Sequence, residues 1–267
     1  MLYGFAQEKQ VDRSIMIKKE SSEFQNNTEL PQKKVSVGLR SPNLFARRPA
    51  LGWILFVVGI LFFSTFTINL YAKGPLLAVD KMISDVWPAK ALSGPSYYKG
   101  AMNAGFYIGS QVVVALGIML GIYFIAKRRW EELAMVGVGL VGSSALFLSL
   151  SNLIGRVRPP TQIWIIENIP GFPSGHAITV VVFYGLLAYF LVPKMRTGFG
   201  KAVVIASAIL IMLYVGFSRI FTGGHYLTDV LAGYSLGIAW FGMAYGIIEN
   251  YFKKELVTKL KHSKNVT

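Results

Sequence analysis

Cysteine is absent from this 267-residue chain, and histidine occurs only three times. The lack of cysteine excludes a disulfide framework, a thiol nucleophile, and zinc or iron–sulfur sites held by thiolates. Three histidines make a metal site with several imidazole ligands hard to build. Charged residues are also scarce, at 15% of the chain, whereas soluble proteins have about 25%.

The chain is instead rich in apolar residues, which make up 53% of it, and its mean hydropathy is +0.48. This composition is typical of a membrane protein. Lysine and arginine number 27 against 13 acidic residues, a net charge of +14. Such an excess can indicate nucleic-acid binding, but here the cations and the apolar segments alternate along the chain. The sequence therefore predicts no nucleic-acid partner.

Six stretches are long and apolar enough to predict transmembrane helices. The first has 22 residues without a charge, which form a helix of about 33 Å, enough to cross a hydrocarbon core of about 30 Å. The fifth is short, at 16 residues, and the sixth contains one acid, Asp229. The six stretches are 51–72, 103–126, 133–154, 175–192, 202–217 and 227–248. They predict an all-α polytopic membrane protein with both termini on the same side.

The remaining segments define the predicted organisation of the chain. Residues 1–48 are polar and predict a disordered cytoplasmic tail, residues 49–252 the membrane domain, and residues 253–267 a basic cytoplasmic tail. Segment 73–102 is too polar to cross the membrane, and Pro75 favours the start of a short interfacial helix there. An ordered loop packed on the spans is the alternative.

The distribution of cations predicts the orientation in the membrane. Both tails and the loops on their side contain 20 lysines and arginines, whereas the opposite loops contain seven. Because cytoplasmic loops carry the excess of lysine and arginine, both termini are expected in the cytoplasm. Loops 73–102, 155–174 and 218–226 then face outward.

Those outward loops contain three polar motifs. They are Gly-Arg-Val-Arg-Pro-Pro at 155–160, Pro-Ser-Gly-His at 173–176, and Ser-Arg at 218–219 followed by His225 and Asp229. Arginine forks match phosphate oxygens, and a helix that begins at Ser174, Gly175 and His176 points free amides at an anion. The four-residue spacing of His225 and Asp229 places imidazole and carboxylate on one face of a helix that begins early enough.

Each motif also has a structural explanation. Arg156 and Arg158 can anchor a loop at lipid headgroups, Ser174 can cap a helix, and His176 can simply begin one. Asp229 is different, because a carboxylate inside a span is costly and indicates function. Six outward aromatic residues allow two interpretations, an interfacial belt or a lining of the substrate path: Trp87, Tyr97, Tyr98, Phe106, Tyr107 and Trp164.

Together the motifs resemble the three-part signature of the type 2 phosphatidic acid phosphatase family, whose superfamily includes vanadium-dependent haloperoxidases. The six spans match the membrane lipid phosphatases of that family. One position departs from the signature, because Ser151 stands where the family has a lysine, seven residues before Arg158. Arg156, two residues before Arg158, is a candidate to replace the missing cation.

The resemblance implies a metal-independent hydrolase without a cofactor. His225 is the expected nucleophile, Asp229 orients it, and His176 is the acid and then the base. Four groups are expected to hold the phosphate of the lipid, with Arg156 as a fifth: Arg158, Arg219, Ser174 and Gly175.

The substrate and two rival functions stay open at this stage. Candidate lipids are undecaprenyl pyrophosphate, phosphatidylglycerol phosphate, phosphatidic acid and lipid A phosphates, which suit the outer face of a bacterial plasma membrane. A phosphotransferase would use the same phosphohistidine, and a catalytically weak lipid-binding relative would follow from Ser151. The sequence does not define an oligomeric state.

Overall fold

The computed structural model describes residues 49–160 and 169–264, with side chains described as far as residue 251. Nine α-helices lie within these ranges: α1 (Pro49–Tyr71), α2 (Leu76–Ser93), α3 (Ser96–Gly109), α4 (Gln111–Ala126), α5 (Trp130–Gly137), α6 (Ser143–Ile154), α7 (Gly175–Leu191), α8 (Gly198–Phe221) and α9 (Leu227–Lys264). A π-helical turn, Val138–Gly142, joins α5 to α6, and a short 3-10 turn follows α7.

The predicted fold class is confirmed. Six helical segments are long and apolar enough to cross a membrane: Pro49–Tyr71, Ser96–Ala126, Trp130–Ile154, Gly175–Lys194, Gly198–Phe221 and Leu227–Tyr251. The second and fifth spans are longer than the predicted stretches 103–126 and 202–217. The reason is that Lys99, Lys201 and Arg219 lie inside helices, so a charge-free window stops before the helix ends.

One region outside the spans agrees with the prediction. A helix, α2, follows Pro75 between the first two spans, in preference to an irregular loop, and its position at the membrane surface stays a prediction. The predicted tail 1–48 and the terminal residues 265–267 lie outside the described residues, as does Trp164. The α9 backbone continues as helix through most of the predicted basic tail, to Lys264.

Helix α7 forms the centre of the bundle. Two apolar clusters meet on it, one with α9 through Ile178 and Leu236, the other with α8 through Val180 and Val215. Their side chains are all nearly fully buried. Since α7 begins at Gly175, this packing fixes the position of the Pro-Ser-Gly-His motif at one end of the core.

Small residues bring α9 close to two neighbours. A side chain at Gly52 of α1 would lie 2.6 Å from the carbonyl oxygen of Gly242 in α9. A side chain at Gly233 of α9 would likewise lie 2.6 Å from the carbonyl oxygen of Ser174, just before α7. Such close helix crossings are common in membranes, where packing replaces the hydrophobic effect. The second crossing places Asp229, one turn before Gly233, beside the start of α7.

The outer surface of the spans is apolar. On α1, Leu61, Phe62 and Ile68 are 62%, 58% and 66% exposed, respectively. A continuous apolar surface of this kind would aggregate in water and is expected where lipid tails are the solvent. The chain is therefore a multi-pass membrane protein.

Candidate active site

His225 lies in the turn between α8 and α9 and is 1% exposed. Its Nδ1 is 2.8 Å from the carbonyl oxygen of Gly171, and its Nε2 is 3.0 Å from Nη1 of Arg158. A carbonyl oxygen only accepts hydrogen bonds, so Nδ1 carries the proton and Nε2 presents its lone pair to Arg158. This hydrogen-bond pattern assigns a neutral imidazole whose Nε2 is available as a nucleophile.

Asp229 lies behind the same imidazole. Its Oδ2 is 3.7 Å from Nδ1 of His225, longer than a hydrogen bond, and accepts a 2.9 Å hydrogen bond from the amide of Tyr226. The carbonyl of Gly171, rather than the expected carboxylate, therefore holds the imidazole proton. The reason is the start of α9 at Leu227, which leaves His225 before the helix instead of on its face. At 3.7 Å, Asp229 is close enough for its charge to influence the imidazole without a hydrogen bond.

Arg156 does not point to an open phosphate site. Its Nη1 donates to Oδ1 of Asp229 at 2.5 Å and to Oγ1 of Thr228 at 2.7 Å. Its Nη2 donates to Oδ2 of Asp80 at 2.7 Å, and its guanidinium lies 4.3 Å from the centre of the Tyr226 ring. Burial raises the pKa of the Tyr226 phenol, so the ring beneath the cation stays neutral. Both terminal nitrogens of the predicted phosphate ligand thus already donate to carboxylates.

Arg158 is anchored beside His225 and is largely buried. Its Nε donates to the carbonyl oxygen of Ile169, and its Nη1 donates to that of Gly224, both at 2.8 Å. Two backbone carbonyls therefore fix the plane of a guanidinium that also reaches Nε2 of His225. A phosphate oxygen bound by Arg158 would lie next to the attacking nitrogen.

The N-terminus of α7 contributes the next part of the site. The Ser174 amide donates to the backbone carbonyl of Asp229 at 2.9 Å. It is therefore already engaged, although the sequence predicts that it binds phosphate. Among the described residues, however, Oγ of Ser174 and Nε2 of His176 are buried without a hydrogen-bond partner. Buried polar atoms are normally satisfied, and these two are placed to bind an anion at the positive end of α7, where the amides of Gly175 and His176 begin the helix.

Arg219 and His176 share an aromatic neighbour, Phe106 of α3. The Phe106 ring lies 4.8 Å from the His176 ring, and the Arg219 guanidinium is 5.0 Å from the centre of the same ring. The two predicted site residues therefore lie close to each other, in contact with the same ring. From the sequence, Phe106 is expected only in an interfacial belt or along the substrate path. The break of the second span at Ser110 orients α3 and has no clear sequence signal, so the contact with His176 is not predictable.

The two glycines before His225 have separate functions. Gly223 has φ of +69°, which a side chain would strain, and it turns the chain from α8 toward the histidine. A side chain at Gly224 would lie 2.6 Å from Nη2 of Arg219. The turn therefore provides both the backbone direction and the space for the guanidinium.

Ser151 is fully buried at the end of α6, where it stands in place of the family lysine. Its Oγ donates to the carbonyl oxygen of Pro170 at 2.9 Å. The hydroxyl thus ties α6 to the segment that holds Gly171 and the imidazole proton. Among the described residues of α6 there is no cation to replace the lysine, and Arg156 is engaged with Asp80 and Asp229.

Substitution of Ser151 by alanine should destabilise the fold. The half-buried Pro170 residue would lose the donor to its carbonyl, which costs about 1 kcal/mol of the free energy of unfolding. Thermal unfolding in detergent should show a melting temperature several degrees lower. Ser149→Ala is the matched control, because that hydroxyl is exposed to the lipid side and bonds only within α6, to Ala145. Equal melting temperatures for the two variants would contradict the structural function of Ser151.

Asp80 is the site residue that sequence reasoning missed. It is 1% exposed, lies on α2, and accepts hydrogen bonds from the amide and hydroxyl of Thr228 and from Arg156. The available signal was weak. Only four acidic residues lie in the predicted outward loops or at their edge, and nothing in their spacing distinguishes Asp80 from Asp85.

Known proteins resemble this chain in sequence and in fold. The family model described as the PAP2 superfamily matches residues 132–253. Phosphatidylglycerophosphatase B of Bacillus subtilis is 32% identical over 171 residues, which are 63% of this chain and 79% of the relative. A lipid A 1-phosphatase of Rhizobium johnstonii is 40% identical over 119 residues, 41% of this chain and 44% of the relative.

A solved structure agrees with the sequence relatives. The crystal structure of a transmembrane PAP2-type phosphatidylglycerolphosphate phosphatase from Bacillus subtilis superposes with a TM-score of 0.61 at 27% identity. The superposition covers 76% of this chain and 96% of that one. The resemblance inferred from the three motifs is thereby confirmed, and the chain belongs to the PAP2 superfamily.

Proposed function

We propose that this protein removes the terminal phosphate of phosphatidylglycerol phosphate through a phosphohistidine on His225, at the outer face of a bacterial plasma membrane. At the coarser level, its relatives support a membrane lipid phosphatase. The observation that carries the mechanism is the tautomer of His225. Gly171 holds the Nδ1 proton, so the Nε2 lone pair lies beside Arg158, the first phosphate-binding cation.

In the first step, Nε2 of His225 attacks phosphorus in line with the ester oxygen. A nitrogen–phosphorus bond forms as the phosphorus–oxygen ester bond breaks. His176 gives its proton to the leaving alkoxide of the glycerol group. In the second step, His176 takes a proton from water, the resulting hydroxide attacks phosphorus, and the nitrogen–phosphorus bond breaks. Inorganic phosphate leaves, and both histidines return to their starting states.

The charge on the transferred phosphoryl group is stabilised by fixed donors. Arg158 and Arg219 supply the guanidinium groups, and the start of α7 supplies the amides of Gly175 and His176 with the Ser174 hydroxyl. Such preorganised donors are worth most in a buried site, where water does not compete. Because the arginines supply the charge that metals supply in other phosphoryl-transfer enzymes, the proposal includes no metal ion.

The substrate is proposed from chemistry and from the relatives together. Arg156 is balanced by two carboxylates, whereas Arg158 is held by backbone carbonyls and Arg219 lies over an aromatic ring. Two arginines match the oxygens of one terminal phosphate monoester. The Bacillus subtilis sequence relative and the Bacillus subtilis crystal structure are both named for phosphatidylglycerophosphate hydrolysis, which favours that lipid over undecaprenyl pyrophosphate.

The test is phosphate release by the purified protein in detergent. Phosphatidylglycerol phosphate, undecaprenyl pyrophosphate and phosphatidic acid are compared side by side, with and without excess chelator. The proposal expects the first lipid to give the highest kcat/KM and the chelator to leave the rate unchanged. A higher kcat/KM for undecaprenyl pyrophosphate would overturn the proposed substrate. Transfer that depends on an added acceptor and releases little free phosphate would establish a phosphotransferase. Binding without turnover would make the chain a lipid-binding relative.

The orientation is a separate part of the proposal and rests on the charge distribution. Because the chain has no cysteine, single-cysteine variants report orientation without a background. Val157, next to Arg158, and Phe199, at the start of α8, are 82% and 81% exposed at opposite ends of the bundle. An impermeant maleimide should label Val157→Cys in intact cells and Phe199→Cys only after permeabilisation. The reverse pattern would place the site in the cytoplasm.

A further inference from the structure

A buried ionic cluster connects α2 to the carboxylate behind the nucleophile. Its members are Asp80, Arg156, Thr228 and Asp229, which come from α2, the loop after α6, and the first turn of α9. Asp80, Thr228 and Asp229 are at most 4% exposed, and the Arg156 side chain is 10% exposed. Of these four residues, only Asp229 lies beside the His225 ring, so the other three need an explanation.

Arg156 links the two carboxylates of the cluster. Its Nη1 lies 2.5 Å from Oδ1 of Asp229, and its Nη2 lies 2.7 Å from Oδ2 of Asp80. One guanidinium therefore balances two carboxylates, and the cluster keeps a net charge of −1. If Arg156 faced Asp229 alone, the pair would be neutral and would stabilise a positive imidazole less.

Asp80 also fixes the first turn of α9. Its Oδ1 accepts the Thr228 amide at 2.9 Å, and its Oδ2 accepts the Thr228 hydroxyl at 2.5 Å. The first amides of a helix have no partner within the helix, so Asp80 acts as a cap supplied from another helix. The residue that follows Thr228 is Asp229. The position of the catalytic carboxylate thus depends on α2.

We infer that Asp80 is a positioning residue for catalysis, which acts through Arg156 and Thr228 to hold Asp229, and its charge, behind His225. The hydrogen bonds of Asp80 go to Arg156 and Thr228, and its effect on Asp229 passes through these two residues. For the catalytic effect, this inference rests on the proposed function. Its effect on the histidine is independent of any substrate.

The test variant is Asp80→Asn, which keeps the side-chain size and removes the charge. With phosphatidylglycerol phosphate, kcat should fall roughly 10- to 100-fold while KM stays within about twofold, because misplacement of a catalytic group raises the barrier without loss of binding. Asp85→Asn is the matched control, since Asp85 lies on the same helix but is exposed. It should leave kcat and KM unchanged.

A second readout needs no turnover. The chain has only three histidines, so protein labelled with ¹⁵N-histidine gives three sets of ring signals, assigned by substitution. The charged groups around the His225 ring are Arg158, Arg219, His176 and Asp229, from four different segments. Loss of the Asp80 charge makes the electrostatic potential at the His225 ring more positive. The His225 titration midpoint should therefore move to lower pH in Asp80→Asn and stay in place in Asp85→Asn.

The outcomes separate the inference from the proposed function. A shifted midpoint with a reduced kcat supports both. A shifted midpoint in a protein that hydrolyses none of the lipids supports the inference and overturns the function. An unchanged midpoint overturns the inference whatever the rate. If Asp80→Asn does not fold, Asp80→Glu keeps the charge and moves the carboxylate. That variant should keep the midpoint and lose kcat, and an unchanged kcat would contradict the inference.

Discussion

Replacement of His225 by alanine should lower phosphate release by about 10⁴-fold or more. The imidazole is the nucleophile in the proposed mechanism, and loss of a nucleophile removes the covalent route, so that only binding and charge stabilisation remain. KM should change little, because the phosphate ligands Arg158 and Arg219 stay in place. Steady-state release of phosphate in detergent, followed over hours at high protein concentration, measures an effect of this size.

The third histidine provides the control for that result. His262 lies in the C-terminal part of α9, more than 30 residues along the chain from the nucleophile. His262→Ala should retain the wild-type rate. A His225→Ala protein that keeps even a tenth of the activity would assign the nucleophile to another group.

Substitution of Arg158 by lysine should lower kcat/KM by about 10²- to 10³-fold, the usual effect of losing one fixed donor to a transition-state oxyanion. The change keeps the charge, so the loss must come from geometry. The guanidinium reaches the carbonyls of Ile169 and Gly224 and Nε2 of His225 at once. A single ammonium group cannot bridge these positions and hold a phosphate oxygen in one plane.

A distant arginine separates this geometric effect from any general sensitivity to lysine. Arg196 is exposed in the loop before α8, and Arg196→Lys should have wild-type kinetics. Kinetic constants for both variants on phosphatidylglycerol phosphate provide the comparison. If Arg158→Lys retained full activity, the anchored fork beside His225 would be irrelevant to catalysis.

The fold could be predicted from sequence because the bilayer imposes a simple rule. Every backbone polar group must be satisfied within a span, so long apolar stretches form helices whatever their neighbours. The ends were less predictable. Lys99 and Arg219 lie within helices but outside the charge-free stretches that predict those helices. Long side chains and ion pairs let charges remain on a helix near the membrane surface.

The candidate site was predictable at the level of residue identity but not of hydrogen bonding. His225 and Arg158 do meet, yet the imidazole proton goes to Gly171, a backbone carbonyl 54 positions earlier in the chain. Backbone acceptors carry no residue-specific signal. The same holds for the Ser174 amide, which is taken by the carbonyl of Asp229.

Arg156 shows most clearly where sequence reasoning ends. A cation two residues before Arg158 is a reasonable substitute for a missing lysine, and only the fold reveals that Asp80 approaches from α2. That ion pair joins residues 76 positions apart. Because Asp80 belongs to a segment between spans and to none of the three motifs, nothing in the sequence connects it to Arg156.

The mechanism depends on a covalent phosphoryl group on His225, which rapid-quench labelling detects. The protein is mixed with phosphatidylglycerol phosphate labelled with ³²P in its terminal phosphate and is stopped in alkali within the first turnover. We expect label that survives alkali, is lost in acid as expected for a phosphoramidate, and maps to the peptide containing His225. Phosphate release without any trapped label, or label on another peptide, would contradict it.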